Sequence, residues 1–135
     1  MIKAGLMMEN YTPKYFKPKE WTCKCGCGLD AIDMNLIKTL DFIRERFGRP
    51  IVITSGCRCE QHNQSVGGRP RSAHLVGPDG KCHAVDIACL APSTRFQLVS
   101  LCLSFGIKRI EITNKHIHID NAAYLPQEII AVAWI

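Results

Sequence analysis

The chain has 135 residues, 47% of them hydrophobic and 21% charged, the balance of one ordinary globular domain with a modest core. No apolar run approaches the ~20 residues that a membrane-spanning helix requires, so no membrane span is expected. The net charge of +5 is spread along the chain; it steers towards anionic surfaces but forms no basic helix with interleaved aromatics, so a nucleic-acid partner is not expected either, and the chain is read as a monomer.

Residues 1–20 read as an irregular arm in which Pro13, Pro18 and several lysines surround Tyr15 and Phe16. Met1 to Met8 is too short and too soon interrupted for a secretion signal, so the protein is expected to be made in the cytoplasm and to leave it only if something else releases it. Cys23, Cys25 and Cys27 alternate with Lys24 and Gly26, and Gly28 follows, which predicts a tight loop. Met34, Ile37, Leu40, Ile43 and Phe47 recur at spacings of three and four and predict a helix from about Asp33 to Phe47, stopped by Gly48 and Pro50.

Ile51-Val52-Ile53-Thr54 reads as a buried strand ending at Ser55-Gly56. Residues 57–83 are rich in Gly, Ser, Pro and Arg with little periodicity, and so long a polar loop inside a small domain is usually functional. Ala84 to Cys89 reads as a strand with Val85 and Ile87 facing one way and Asp86 the other. A helix is expected from about Ser93 to Phe105. Arg109–Thr113 and His116–Asp120 alternate about Asn114-Lys115, a hairpin signal. The whole is an α+β domain with mostly antiparallel strands. Trp21 and Trp134 are read as packing residues.

Eight cysteines are many for this length. In a reducing compartment free thiols or a thiolate metal site come before disulfides. The paired cysteines have one residue between them, whereas structural zinc pairs usually have two, so a second, cysteine-bound zinc is the weaker expectation.

His74 in the polar loop, Asp86 on the following strand, and His116 and His118 two apart on a late strand form the chemical constellation. Residues two apart on a strand share a face. Imidazoles and a carboxylate converging in this way suit a catalytic Zn2+, which takes three protein ligands and keeps one position open.

Ser55-Gly56-Cys57-Arg58, His62-Asn63, Val66-Gly67-Gly68, Ser72-Ala73-His74-Leu75-Val76-Gly77, Ala84-Val85-Asp86-Ile87 and His116-Ile117-His118 occur in that order. Over roughly residues 15–120 this resembles the zinc D-alanyl-D-alanine carboxypeptidase and L-alanyl-D-glutamate endopeptidase family, within the hedgehog/D-Ala-D-Ala metallopeptidase superfamily, particularly its small phage and prophage members. The resemblance implies zinc ligands at His74, Asp86 and His118. It implies a substrate-contacting, oxyanion-steadying role for Arg58, a substrate-orienting role for Ser72, and proton transfer by His116. The expected activity is hydrolysis of a peptide bond in bacterial peptidoglycan stem peptide, as carboxypeptidase or endolysin-like endopeptidase, on the cell wall after release. A non-catalytic zinc module of the hedgehog kind is the alternative, against which Arg58 and His116 stand together.

The chain departs from the family pattern in three places. Eleven residues separate His74 and Asp86 where the family usually has six, which reads as an insertion of about Pro78 to Cys82 carrying turn chemistry. His83 then falls close to Asp86 and is read as a bystander. Cys57 stands where tyrosine is common. Lys115 stands where another version of the motif has glutamate, so the general base is His116 first and Glu111 second.

Overall fold

The chain, seen in a computed structural model, is described over residues 11–125 and 130–132; Trp134 lies outside the described residues. Its helices in chain order are α1 (Pro18–Trp21), α2 (Met34–Phe47), α3 (Glu60–Ser65) and α4 (Pro92–Ser104), and its strands are β1 (Val52–Ser55), β2 (Ala84–Ala88), β3 (Arg109–Ile112), β4 (Ile117–Asp120) and β5 (Ile130–Val132). The three- and four-residue apolar spacing of α2 becomes one buried stripe, with Leu36, Ile37, Leu40 and Ile43 inside. Gly48 ends the helix in the left-handed region at φ 72°, where its N–H reaches the Arg44 carbonyl.

The strands form one sheet in the order β1-β2-β4-β3-β5. The first four pair antiparallel, and β5 joins the β3 edge in parallel. Val85, Ile87, Ile117 and Ile119 share the core with Ile110, the α2 stripe and Leu98 and Cys102 of α4. Each fully buried aliphatic side chain contributes about 1.5–3 kcal/mol, so this layer of helices on one face holds the sheet. The other face is left for polar residues. The expected α+β architecture is the one observed, and no helix among the described residues is long and apolar enough to cross a membrane.

Four local readings need correction. The arm is irregular over residues 11–17, as expected, but it ends in the short helix α1. Phe16 and Trp21 are buried, Trp21 Nε1–H donates to the Asp30 carbonyl, and the Asp41 carboxylate on α2 accepts from the Lys14 and Tyr15 backbone N–H and from the Tyr11 hydroxyl. Burying two aromatics outweighs the local prolines. The loop 57–83 contains α3, whose six residues are too few to show a period; its first turn is capped by Cys59 Sγ, which accepts from His62 N–H.

The third correction concerns the excursion at 78–82. Pro78 to Lys81 form an exposed turn, but Cys82 is wholly buried. Its N–H donates to the Ala31 carbonyl and its own carbonyl accepts from Asp33 N–H. Cys82 therefore belongs to the core and the surface part ends at Lys81. Finally, His116 precedes β4 rather than lying on it. It sits in the hairpin turn, where Thr113 Oγ1 accepts from the Lys115 and His116 N–H groups.

Candidate metal centre

The sheet register builds the site. Ser55 pairs with Asp86, Asp86 with His118, and His118 with Glu111. Directly opposed residues put their side chains on the same face, so these four form a row across β1, β2, β4 and β3 on the face turned away from the core. His74 is delivered to this row by the segment after α3. It is tied down through Arg58 N–H to the His74 carbonyl at 2.9 Å and His74 N–H to Ser72 Oγ at 3.1 Å.

His74 Nε2 lies 3.1 Å and His118 Nδ1 3.0 Å from the same oxygen, Asp86 Oδ1. The three donor atoms all fall within 4.8 Å of one another. The far nitrogen of each ring is already committed. His74 Nδ1–H donates to the Gly56 carbonyl at 2.6 Å, and His118 Nε2–H donates to Asp120 Oδ2 at 2.7 Å. Such outer partners fix which ring nitrogen faces a metal.

The electrostatics show what this arrangement lacks. Burial lowers the His74 pKa, against the pull of Asp86, so the ring is neutral with its proton on Nδ1. Its Nε2 lone pair then faces a carboxylate oxygen at 3.1 Å with no hydrogen between them. Burial raises the Asp86 pKa, yet the two imidazoles beside it, the hydrogen bond from His118 foremost, more than offset this and hold the carboxyl ionised well below the usual range. Burial opposes charge on His118, but Asp120 and then Asp86 lift its pKa to about 9. Two lone pairs pointed at each other beside a second imidazole nitrogen are relieved by a cation among them. An N2O donor set of this size suits Zn2+.

Arg58 is held on the same spot by three acceptors. Its Nη2–H meets Asp86 Oδ2 at 3.1 Å, Nε–H meets Ser55 Oγ at 3.1 Å, and Nη1–H meets Asn63 Oδ1 at 3.2 Å. The Asn63 and Val66-Gly67-Gly68 motifs thereby acquire a physical reason. Asn63 Nδ2–H binds the Arg69 carbonyl, and a Cβ on Gly68 would lie 1.9 Å from Asn63 Oδ1, so only glycine lets the loop close over the side chain that orients Arg58.

Arg58, Ser72, His74, Asp86, Glu111, His116 and His118 line one cleft of about 430 Å³, so the fold brings every sequence-predicted site residue together. His116 Nε2 stands 3.7 Å from Asp86 Oδ1 with its side chain 30% exposed, at the rim. Glu111 also lines the cleft and is engaged by Arg69 at 2.8 Å. Ser72 Oγ is occupied in turning the chain into His74. His83 faces away from this cluster; its ring bonds Asn121 and Asp79.

Sequence reasoning missed Asp120. It is buried, accepts from His118 on one oxygen, and accepts from Arg109 Nε–H at 2.6 Å and Ala122 N–H on the other. The signal was present in His116-Ile117-His118-Ile119-Asp120, where strand alternation puts Asp120 on the face of His118.

Among known proteins, the family model described as Peptidase M15 matches residues 14–120. No curated protein matches the chain.

Proposed function

The chain belongs to the peptidase M15 family, the zinc D-Ala-D-Ala carboxypeptidase-like peptidases, and from that premise we propose that it is a zinc-dependent hydrolase of peptidoglycan stem peptide. The observation that carries the zinc is the His74 Nε2 lone pair set against Asp86 Oδ1 beside His118 Nδ1. His74, Asp86 and His118 are the ligands. Zn2+ bound there supplies Lewis acidity, polarising a carbonyl and acidifying a water.

The remaining chemistry falls to the chain's own groups. Arg58, fixed by Ser55 and Asn63, faces the same carboxylate as the ligands, so a scissile carbonyl oxygen at the centre meets its guanidinium. His116 at the rim carries a proton towards the leaving amine. Ser72 lines the approach and orients the peptide. Glu111 serves the cleft wall through Arg69 rather than the proton path. A stem-peptide substrate lies outside the cell membrane, so the enzyme acts on the wall after release, in the endolysin manner.

The experiment is cleavage of synthetic stem peptides by zinc-loaded, chelator-treated and zinc-restored protein, read by mass spectrometry. One peptide ends in D-Ala-D-Ala and another carries an internal L-Ala-D-Glu bond. Cleavage of one of them that disappears with chelation and returns with zinc is expected; a zinc-loaded protein that cuts neither overturns the substrate assignment.

Asp120 gives a second expectation. Asp120→Asn keeps the shape but weakens the acceptor that orients His118, so zinc affinity at this centre should fall about 10–100-fold. A chelator-competition titration measures it. Unchanged affinity would leave Asp120 as a structural partner of Arg109 and Ala122.

A further inference from the structure

Next to Arg58 along the chain, at Cys59, four thiols gather from two parts of the chain. Cys23, Cys25 and Cys27 come from the loop after α1, and Cys59 from the N-terminal side of α3. All four are free cysteines. Cys23 Sγ is 3.5 Å from Cys25 Sγ and 4.0 Å from Cys59 Sγ, Cys25 Sγ is 3.6 Å from Cys59 Sγ, and Cys27 Sγ falls within 4.8 Å of the others.

Those separations have a meaning. A tetrahedron with Zn–S bonds of about 2.3 Å has sulfur–sulfur edges of about 3.8 Å. The three closest sulfur–sulfur distances straddle that value, so one ion fits among the sulfurs. An iron–sulfur cluster, which places its own irons and sulfides between the cysteines, would spread them further apart.

Backbone geometry serves the same end. Gly26 and Gly28 take φ of 90° and 87°, a conformation that lets the alternating Cys-x-Cys-x-Cys run curl so that all three sulfurs turn inward despite the one-residue spacing. Cys59 N–H points at Cys23 Sγ at 3.5 Å, and His62 N–H at Cys59 Sγ at 3.4 Å. Amide donors onto sulfur favour the thiolate, the form that binds metal. The loop has little else to hold it. Residues 24–28 are exposed, and its backbone is pinned by Cys23 N–H to the Leu29 carbonyl and a long Gly26 contact.

We propose that Cys23, Cys25, Cys27 and Cys59 bind a second, structural Zn2+, distinct from the cleft centre. Binding displaces the thiol protons to solvent and leaves four thiolates on one ion. The site clamps the loop after α1 to the residue that follows Arg58, so it braces the backbone from which the cleft arginine projects. The one-residue spacing made this the weaker expectation from sequence; the contribution of Cys59, 32 positions beyond Cys27, completes the set.

The test is metal content and the absorption of the cobalt-substituted protein. Two zinc ions per chain are expected. Cys25→Ser/Cys27→Ser, both at exposed positions, should lose one of them together with the near-ultraviolet thiolate-to-cobalt charge-transfer band. His74→Ala should lose the other and keep that band, so failure of the cleft reading is separable from failure of this one. Unchanged zinc content in the cysteine variant, iron in place of zinc, or no thiolate band in the native cobalt protein would overturn the proposal. Should the variant fail to fold, alkylation of the native protein decides. Cys25 and Cys27 should resist the reagent until a chelator is added, and fast labelling beforehand overturns the site.

Discussion

His118→Ala should remove one zinc per chain and abolish peptide hydrolysis while the fold persists. The side chain contributes Nδ1 to the donor set and lies at the cleft, 17% exposed, whereas the flanking Ile117 and Ile119 hold β4 in the core. Without the ring, Asp86 keeps Arg58, and Asp120 keeps Arg109. Two ligands no longer fix a metal in competition with water. His116→Ala is the matched control. Its ring sits 3.7 Å from Asp86 Oδ1 at the rim, so its loss should leave zinc in place and lower turnover by the 10²–10⁴-fold that roughly measures a proton-transfer group. Metal analysis, thermal unfolding and peptide cleavage on both variants separate the roles. Full zinc content in His118→Ala would remove His118 from the ligand set, and zinc loss in His116→Ala would put His116 into it.

Much of this architecture was legible because short-range patterns encode it. The α2 stripe and its glycine stop, the β-branched run before Ser55, and the alternation through His118 each follow from the period of one element. The convergence of His74, Asp86 and His118 was legible only as an ordered set of motifs. Nothing local says that Ser55, Asp86, His118 and Glu111 stand in one row, since that follows from strand register across four segments. What stayed hidden depends on contacts between distant positions. Phe16 looks like part of a polar, proline-marked arm until Asp41, on a helix two dozen residues away, satisfies the backbone N–H groups of Lys14 and Tyr15 just before it. Cys82 looks like the end of a surface turn, yet its backbone completes a bridge to Ile32. Asn63 acquires its purpose only when Gly68 folds against it and Arg58 reaches it.

Arg58→Lys should keep both metals and the fold but lower turnover about 10²-fold or more, the scale roughly expected for losing one donor to a developing oxyanion. The guanidinium now spends Nε on Ser55 and Nη1 on Asn63, which fixes its plane, and aims Nη2 at Asp86 Oδ2. Lysine retains the charge but offers a single ammonium on a flexible stem. It cannot satisfy Ser55 and Asn63 while also presenting a fixed N–H to the reacting carbonyl. Zinc should remain because the donor atoms of His74 and His118 are oriented by Gly56 and Asp120, neither of which depends on Arg58. Asn63→Ala separates orientation from charge. It removes one of the three acceptors that hold the fork, so it should lower turnover by less than Arg58→Lys while leaving binding of zinc unchanged. Steady-state cleavage of the preferred stem peptide, with zinc measured on the same samples, gives the comparison. Near-native turnover in Arg58→Lys would mean that the arginine serves only to join the loop, through Ser55 and Asn63, to the edge of the sheet.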